Sequence, residues 1–275
     1  MNGKLYVVGT PIGNLGDFSR RAVETLQEVD FIAAEDTRVT LKLLNHFDIK
    51  KPMVSYFEHN KRERGEIICS RILQGENCAI VTDAGMPCIS DPGEDLIKLC
   101  EEKNIETIVI PGPSAVISAL AVSGLETGRF TFEGFLSMNK KSRKDHLNSL
   151  KNEKRTMIFY EAPHKLSATL KDLYNTFGDR KLTIVREITK IHEQTIRTTT
   201  KFASENYADG SIKGEIVLVL EGDKTSSADE NEYTLETAVE LAKELVEKGQ
   251  KPSDAAKEAA SISGFKKNEI YSNLI

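Results

Sequence analysis

Three loops in the first half of the chain carry the residues whose types could do chemistry. The longest is VTDAGMPCISDPG, Val81 to Gly93, where the apolar run Cys78-Ala79-Ile80-Val81 gives way to Asp83. A carboxylate at a strand end accepts hydrogen bonds from backbone N–H groups or from a ligand, and it offsets positive ligand charge. Gly85 lets the main chain come close to a bound molecule. Pro87 and Pro92 stiffen the loop and lower the entropy cost of ordering it on binding. Aspartate also caps ordinary turns, but Asp91 and the following Pro-Gly pair favour a loop that holds a ligand.

The second loop is IPGPSAVISAL, Ile110 to Leu120, in which Pro-Gly-Pro aims a helix N-terminus at the same crevice and Ser114 offers a hydroxyl and an N-cap. Taken alone, an ordinary strand-to-helix turn has the same composition. The third is GTPIGNLGD, Gly9 to Asp17, after a strand and before a helix. Its glycine spacing, G-x3-G-x2-G, is not the dinucleotide fingerprint, and no Lys-Ser/Thr follows to make a P-loop. Thr10-Pro11 also removes flexibility and an N–H where a pyrophosphate would need both. A nicotinamide oxidoreductase is therefore disfavoured. What remains is a rigid turn that brings backbone close to a ligand or to another loop.

Loops of this kind need strands to hold them, and the first 125 residues supply alternating strands and helices. Leu5–Val8, Val29–Ala34, Ala79–Val81 and Thr107–Ile110 read as strands. Helices are expected from Ser19, over Lys61–Leu73, over Glu94–Cys100 and from Ser114 to Ala121, the last ended by Gly124. The pattern implies a mostly parallel sheet covered on both faces. From Phe130 strands outnumber helices, and the neighbours Leu182–Ile188 and Gln194–Thr200 suggest antiparallel pairing within a mixed sheet. Leu166–Phe177, closed by Gly178, is the clearest helix there. The expected organisation is an α/β domain over 1–124, a second over 125–222, then a linker and helical appendage over 223–275. Helices at Leu235–Glu247, Asp254–Ala260 and Lys267–Leu274, with Gly264 before the last, resemble a helix-turn-helix arrangement or plain helical trim.

The 275 residues fit two domains of ordinary globular composition, with 39% hydrophobic and 29% charged residues. No apolar run approaches a membrane span, and the start, MNGKLYVVGTP, shows no export signal. Cys69, Cys78, Cys88 and Cys100 form no CxxC pair and have no histidine at ligand spacing, so reduced thiols in the cytoplasm and no metal are expected. Net charge is −5, unevenly spread: −6 over residues 1–128, +8 over 129–201 and −7 over 202–275. A basic band in an acidic protein suits phosphate, although a solvated face has the same composition.

The stretches LYVVGTPIGNLGD, AAEDTRVT, VTDAGMPCISDPG, IPGPSA, FEGFL, YEAPHKL, REITKIHE and GEIVLVLEG run in order from Leu5 to Gly222. Together they resemble the tetrapyrrole-methylase-like superfamily of S-adenosylmethionine-dependent methyltransferases, and within it the small-subunit ribosomal RNA cytidine-2′-O-methyltransferase family. The resemblance implies two α/β domains with the cofactor folded in the cleft between them, and a homodimer. It places Pro11 on one side of the pocket, Asp83, Met86 and Ile89 at the methionine and ribose parts, and Ser114 and Ala115 beside them. Tyr160, Glu161, Ala162, Gly214 and Glu215 would meet the adenine.

A ribose hydroxyl is a poor nucleophile and needs a base or a cation beside it. Asp36 or Glu187 is the expected base, with Arg38 and Arg186 as activating or phosphate-positioning cations. An ordinary interdomain ion pair would explain Arg186 and Glu187 equally well, and His192 reads as a surface residue. Lys140, Lys141, Arg143 and Lys144 are the expected RNA contacts, with Lys61, Arg62 and Arg64 as possible additions. Without tryptophan, broad stacking platforms are not expected, and the shape of an assembled small subunit carrying 16S ribosomal RNA is the expected recognition element. The rivals are methylation of a tetrapyrrole carbon and a ribosome assembly factor that binds RNA without turnover.

Overall fold

Side chains alternate across each strand, and the first sheet uses that alternation to build two cores. Its strands are β1 (Leu5–Val8), β2 (Phe31–Ala34), β3 (Met53–Ser55), β4 (Cys78–Val81) and β5 (Thr107–Ile110). They lie in the order β3-β2-β4-β1-β5, all parallel. Phe31, Ala33, Cys78 and Ile80 face α3 (Lys61–Leu73) and α4 (Glu94–Glu102) through Ile68, Ile72, Leu96 and Cys100. Ile32, Ala34, Ala79 and Val81 face α1 (Arg20–Glu28) and α2 (Thr37–His46) through Ala22, Leu26 and Leu44. Burial on both faces explains why β2 and β4 are continuous apolar runs. This computed structural model describes residues 2–207, 212–224 and 234–274.

The second sheet holds β6 (Phe130–Phe135), β7 (Thr156–Glu161), β8 (Lys181–Arg186), β9 (Gln194–Thr199) and β10 (Ile216–Leu220) in the order β6-β7-β10-β8-β9. Only β6 and β7 pair in parallel; the other pairs, β8 with β9 included, are antiparallel. One face packs on α6 (Lys140–Ser149), α7 (Leu166–Phe177) and α8 (Thr200–Asn206) through Leu147, Leu170, Leu173 and Ala203. The other receives α5 (Ala115–Ser123), whose Val116, Ala119 and Leu120 meet Ile158, Val185, Val217 and Val219. Thr183 Oγ1 donates to the Ser123 carbonyl at 2.9 Å and Arg197 to that of Val122 at 2.6 Å, so the second sheet also satisfies the end of this helix. Gly124 closes it in the left-handed region, φ 76°. Helix α5 thus follows a strand of the first sheet but packs on the second. Both sheets fall in one unit, Met1–Gly222.

Asp223–Ile275 is a separate unit. Helices α9 (Leu235–Glu247), α10 (Pro252–Ser263) and α11 (Lys267–Leu274) close around Ala238, Ala242, Ala256, Ala259 and Ile270. Most of the expected linker, residues 225–229, lies outside the described residues. Among the described residues no helix is long and apolar enough to cross a membrane.

Candidate active site

The three loops meet at the carboxyl ends of β1, β4 and β5, where ligands sit in open parallel sheets. Close backbone approach binds them together. A Cβ on Gly112 would stand 2.8 Å from Gly9 Cα, and one on Gly9 would meet Met86 Sδ at 2.6 Å, so both positions need glycine. Thr10 and Gly85 exchange backbone hydrogen bonds of 2.9 and 3.2 Å, and Thr10 Oγ1 donates to the Thr82 carbonyl at 3.1 Å. The long loop turns through positive φ at Gly85, Cys88, Ser90 and Gly93; glycine adopts it freely, whereas at Cys88 and Ser90 it persists only where surrounding contacts impose it.

A cavity of about 460 Å³ opens between these loops and the second sheet. One end is acidic, with Glu35, Asp83 and Asp91 in its wall. Thr82 Oγ1 donates to Glu35 Oε2 at 2.5 Å, and the Asp36 N–H donates to Asp83 Oδ1 at 3.2 Å. Burial, then the neighbouring Glu35 carboxylate, pushes Asp83 upward. The same two causes push Asp91 up to about 6. Negative charge that is both buried and crowded favours a cationic ligand. The second sheet and its loops contribute Ile188, Ile216, Val217, Tyr160 and Phe135 to the wall, together with Glu161 and Glu215. Burial and the Asp91 charge push the Tyr160 phenol up to about 12. Glu161 is buried there; its Oε1 accepts from the Ala162 N–H at 2.8 Å and its other oxygen from the Thr169 hydroxyl.

Of the expected cofactor residues, Asp83, Met86, Ile89, Ser114, Ala115, Tyr160, Glu161, Ala162 and Glu215 line this cavity. Pro11 and Gly214 are not among its lining residues. Pro11 lies between Thr10, which bridges to Gly85, and Ile12, which forms the wall. Gly214, at φ 90°, has no room for a Cβ beside the Glu187 side chain. Ser114 precedes α5 but makes no side-chain cap bond; its place is in the cavity wall.

None of the four expected catalytic residues, Asp36, Arg38, Arg186 and Glu187, lines the cavity. Asp36 is the N-cap of α2, accepting from the Arg38 N–H at 2.8 Å and from the Arg38 guanidinium at 3.0 and 2.6 Å. Those bonds hold its carboxyl down to about 2, too weak a base for a hydroxyl. Arg38 remains exposed beside it. Glu187 Oε1 accepts from Lys190 Nζ at 3.1 Å and from the Glu215 N–H at 3.0 Å, which holds it below the usual carboxylate range. Arg186, at the end of β8, donates to the Lys213 carbonyl at 2.7 Å and to Gln194 Oε1 at 3.3 Å, so it ties β9 to the segment before β10. Arg143 is likewise not a free cation. Its side chain is 13% exposed and donates to Asp172 Oδ2 at 2.6 Å and to Thr169 Oγ1 at 2.8 Å, the hydroxyl that meets Glu161. Lys140, Lys141 and Lys144 are exposed.

Glu35, Phe135, Ile188 and Val217 were not expected in the site. All four lie in stretches that carried the resemblance, Glu35 in AAEDTRVT, Phe135 in FEGFL, Ile188 in REITKIHE and Val217 in GEIVLVLEG, but no local signal singled any of them out as lining.

A cleft whose wall combines carboxylates with apolar and aromatic side chains suits a ligand with a cationic sulfur and amine joined to an adenosyl group. The fold and this cleft define an S-adenosylmethionine-dependent methyltransferase. The family model of the tetrapyrrole (corrin/porphyrin) methylases matches residues 4–203, and the chain belongs to that family. Relatives named ribosomal RNA small subunit methyltransferase I align over nearly the whole chain. The protein from Synechocystis sp. is 47% identical, covering 98% of this chain and 96% of the relative. That from Bacillus subtilis is 42% identical, covering 98% and 93%. Among solved structures, diphthine synthase superposes with a TM-score of 0.61 at 15% identity, covering 80% of this chain and 90% of the other. The Thermus thermophilus uroporphyrin-III C-methyltransferase complexed with S-adenosylhomocysteine gives 0.56 at 14%, covering 80% and 97%.

Proposed function

We propose that this protein methylates the ribose 2′-hydroxyl of a cytidine in small-subunit (16S) ribosomal RNA. The observation that carries the substrate is the near-full-length similarity to proteins named for the small ribosomal subunit. The exposed lysines of α6 are consistent with an anionic substrate.

S-adenosylmethionine, when bound, supplies a methyl group on positively charged sulfur, open to displacement by an oxygen nucleophile. Glu35 and Asp83 would hold its cationic groups through charge, and Ile216, Val217 and Ile188 would enclose its adenosyl group. Asp91 takes the hydroxyl proton. It lines the cleft near Tyr160, and a carboxylate raised to about 6 keeps more basicity than Asp36 or Glu187. The braced loops hold the attacking oxygen near the methyl carbon, where positioning alone lowers the barrier by several kcal/mol.

The protein acts in the cytoplasm as a homodimer. Ile117 and Val122 on the outer face of α5, and Val109 on the edge strand β5, are exposed apolar residues that a second copy would cover. The assembled subunit is the preferred substrate, because shape supplies what a net charge of −5 does not. The test offers labelled cofactor with intact unmethylated subunits or with free 16S RNA. Label in RNA from subunits, well above that in free RNA, is expected. Equal labelling would remove the preference for the particle, and no label in either would remove RNA as the substrate.

A further inference from the structure

The second sheet departs once from regular strand geometry beside the cleft. Successive strand residues point to opposite faces, so Phe132 and Phe135 should not share a side. The register shifts between them: Phe132 pairs with Ile158, Gly134 with Phe159 and Phe135 with Tyr160. Glu133 is the extra residue of this bulge, and Gly134 takes φ 65°. Bulges re-aim the side chains that follow them. Phe132 and Phe135 accordingly both flank Tyr160, edge-on, with ring centroids 4.9 and 5.4 Å away.

Phe135 lines the cleft yet is 58% exposed, unlike the buried Ile216 and Val217 of the same cavity. From the first half of the chain, Ile89 lines the cavity at 51% exposure, and Ser90 Oγ lies 3.7 Å from where a Cβ on Gly134 would be. An aromatic ring held this way at the mouth is unfavourable in water unless a partner covers it. The charges select the partner. Carboxylates inside the cleft repel phosphate, whereas Lys140, Lys141 and Lys144 of α6, soon after Phe135 in the chain, attract it. The occupant presents a flat apolar face to Phe135 and an anionic backbone towards α6. An unstacked nucleotide of RNA has both.

We propose that Phe135 is the stacking platform for the base of the nucleotide that receives the methyl group, held out of its own stack over the mouth of the cleft. The proposal rests on RNA being the substrate, and it needs one ring at the mouth rather than the broad platform that a chain without tryptophan was not expected to have.

Phe135→Ala, Phe135→Leu and Phe135→Trp test it with unmethylated small subunits as substrate and S-adenosylhomocysteine as cofactor probe. Base stacking on an aromatic ring corresponds to a roughly 5- to 150-fold effect on affinity. F135A and F135L are expected to raise KM for subunits by roughly tenfold or more, with calorimetric affinity for S-adenosylhomocysteine unchanged. F135W is expected to restore KM, and its indole, the sole tryptophan of the protein, should show unchanged emission when S-adenosylhomocysteine binds. Unaltered KM in F135A overturns the proposal. So does F135A failing to bind cofactor, or F135W emission quenched by S-adenosylhomocysteine, because the ring would then serve the adenosyl group. Wild-type protein that labels no RNA would sink the RNA function itself; active wild type with indifferent Phe135 variants would sink only the platform.

Discussion

Replacing Asp91 by asparagine removes the proposed proton acceptor while keeping its size and one oxygen. Burial and the Glu35 charge disfavour the ionised form, which is why the group sits at about 6. With that value, about 90% of Asp91 is ionised at pH 7 and only about 10% at pH 5. The wild-type rate limited by this base therefore falls about tenfold between those conditions if the bound cofactor leaves the value unchanged. A cationic cofactor pulls the carboxylate lower, so the profile of the saturated enzyme shifts to more acid pH. Cofactor affinity moves with it: a protonated Asp91 no longer attracts the cation, so binding weakens as pH falls through about 6 and releases protons near that pH. Asp91→Asn should lower the single-turnover rate at pH 7 about 100-fold or more, the usual range for a positioned acid or base. Its residual rate should be flat with pH. The assay is methyl transfer to unmethylated subunits under single-turnover conditions from pH 5 to 8, with calorimetric cofactor titrations alongside. A variant within about threefold of wild type at pH 7 would refute the base assignment. A large loss of cofactor affinity with the transfer rate intact would make Asp91 a charge partner of the cofactor only.

Gly112→Ala would drive a Cβ to 2.8 Å from Gly9 backbone, so a loss of about 1–3 kcal/mol in stability is expected, together with weaker cofactor binding. Thermal melts and calorimetry check it, and an unchanged melting temperature with unchanged affinity contradicts it. Arg143→Ala breaks charged hydrogen bonds to Asp172 and Thr169; denaturant unfolding should show a loss of about 1.5–3 kcal/mol. The triple alanine variant of Lys140, Lys141 and Lys144 should keep its melting temperature. Its log–log dependence of RNA affinity on salt should flatten by about two, roughly 0.7 per charge for single strands. Asp36→Ala should lower stability through loss of the α2 cap, seen as a lower melting temperature, with the transfer rate at pH 7 close to wild type.

Most of the scaffold was legible because its signals are local. Ser19 caps α1, accepting from the Ala22 N–H at 3.1 Å, and Gly124 and Gly178 end α5 and α7. The antiparallel pairing of β8 with β9 followed from two neighbouring strand-like runs. Four elements, α2, β3, α6 and α8, escaped because each is short or buries too few residues to show a periodicity; α2 buries only Thr40 and Leu44. Strand β3 has only three residues. Helix α6 buries Leu147 alone, so it read as a charge run. Helix α8 has seven residues and continues directly from β9. An all-apolar α5 implied burial, but its sequence could not say which sheet it would cover.

The site divides along the same line. The loops that form the cavity were visible in their glycines, prolines and aspartates. The roles of charged residues were not, because partners decide them. Arg143 is fixed by Asp172, Asp36 by Arg38 and Glu187 by Lys190. Asp83 and Asp91 share one loop, and depth, the approach of Glu35 from the end of β2 and the Asp83 charge raise Asp91 to about 6.

The most direct test of the central claim reads the position of the transferred methyl group. Small subunits from cells lacking this gene are incubated with the protein and methyl-labelled S-adenosylmethionine, and their RNA is digested to nucleosides for chromatography and mass spectrometry. Label in 2′-O-methylcytidine is the predicted result. Label in a base-methylated nucleoside would contradict ribose methylation, and cofactor binding with no label in RNA would move the fold to a tetrapyrrole substrate or to an assembly role without turnover.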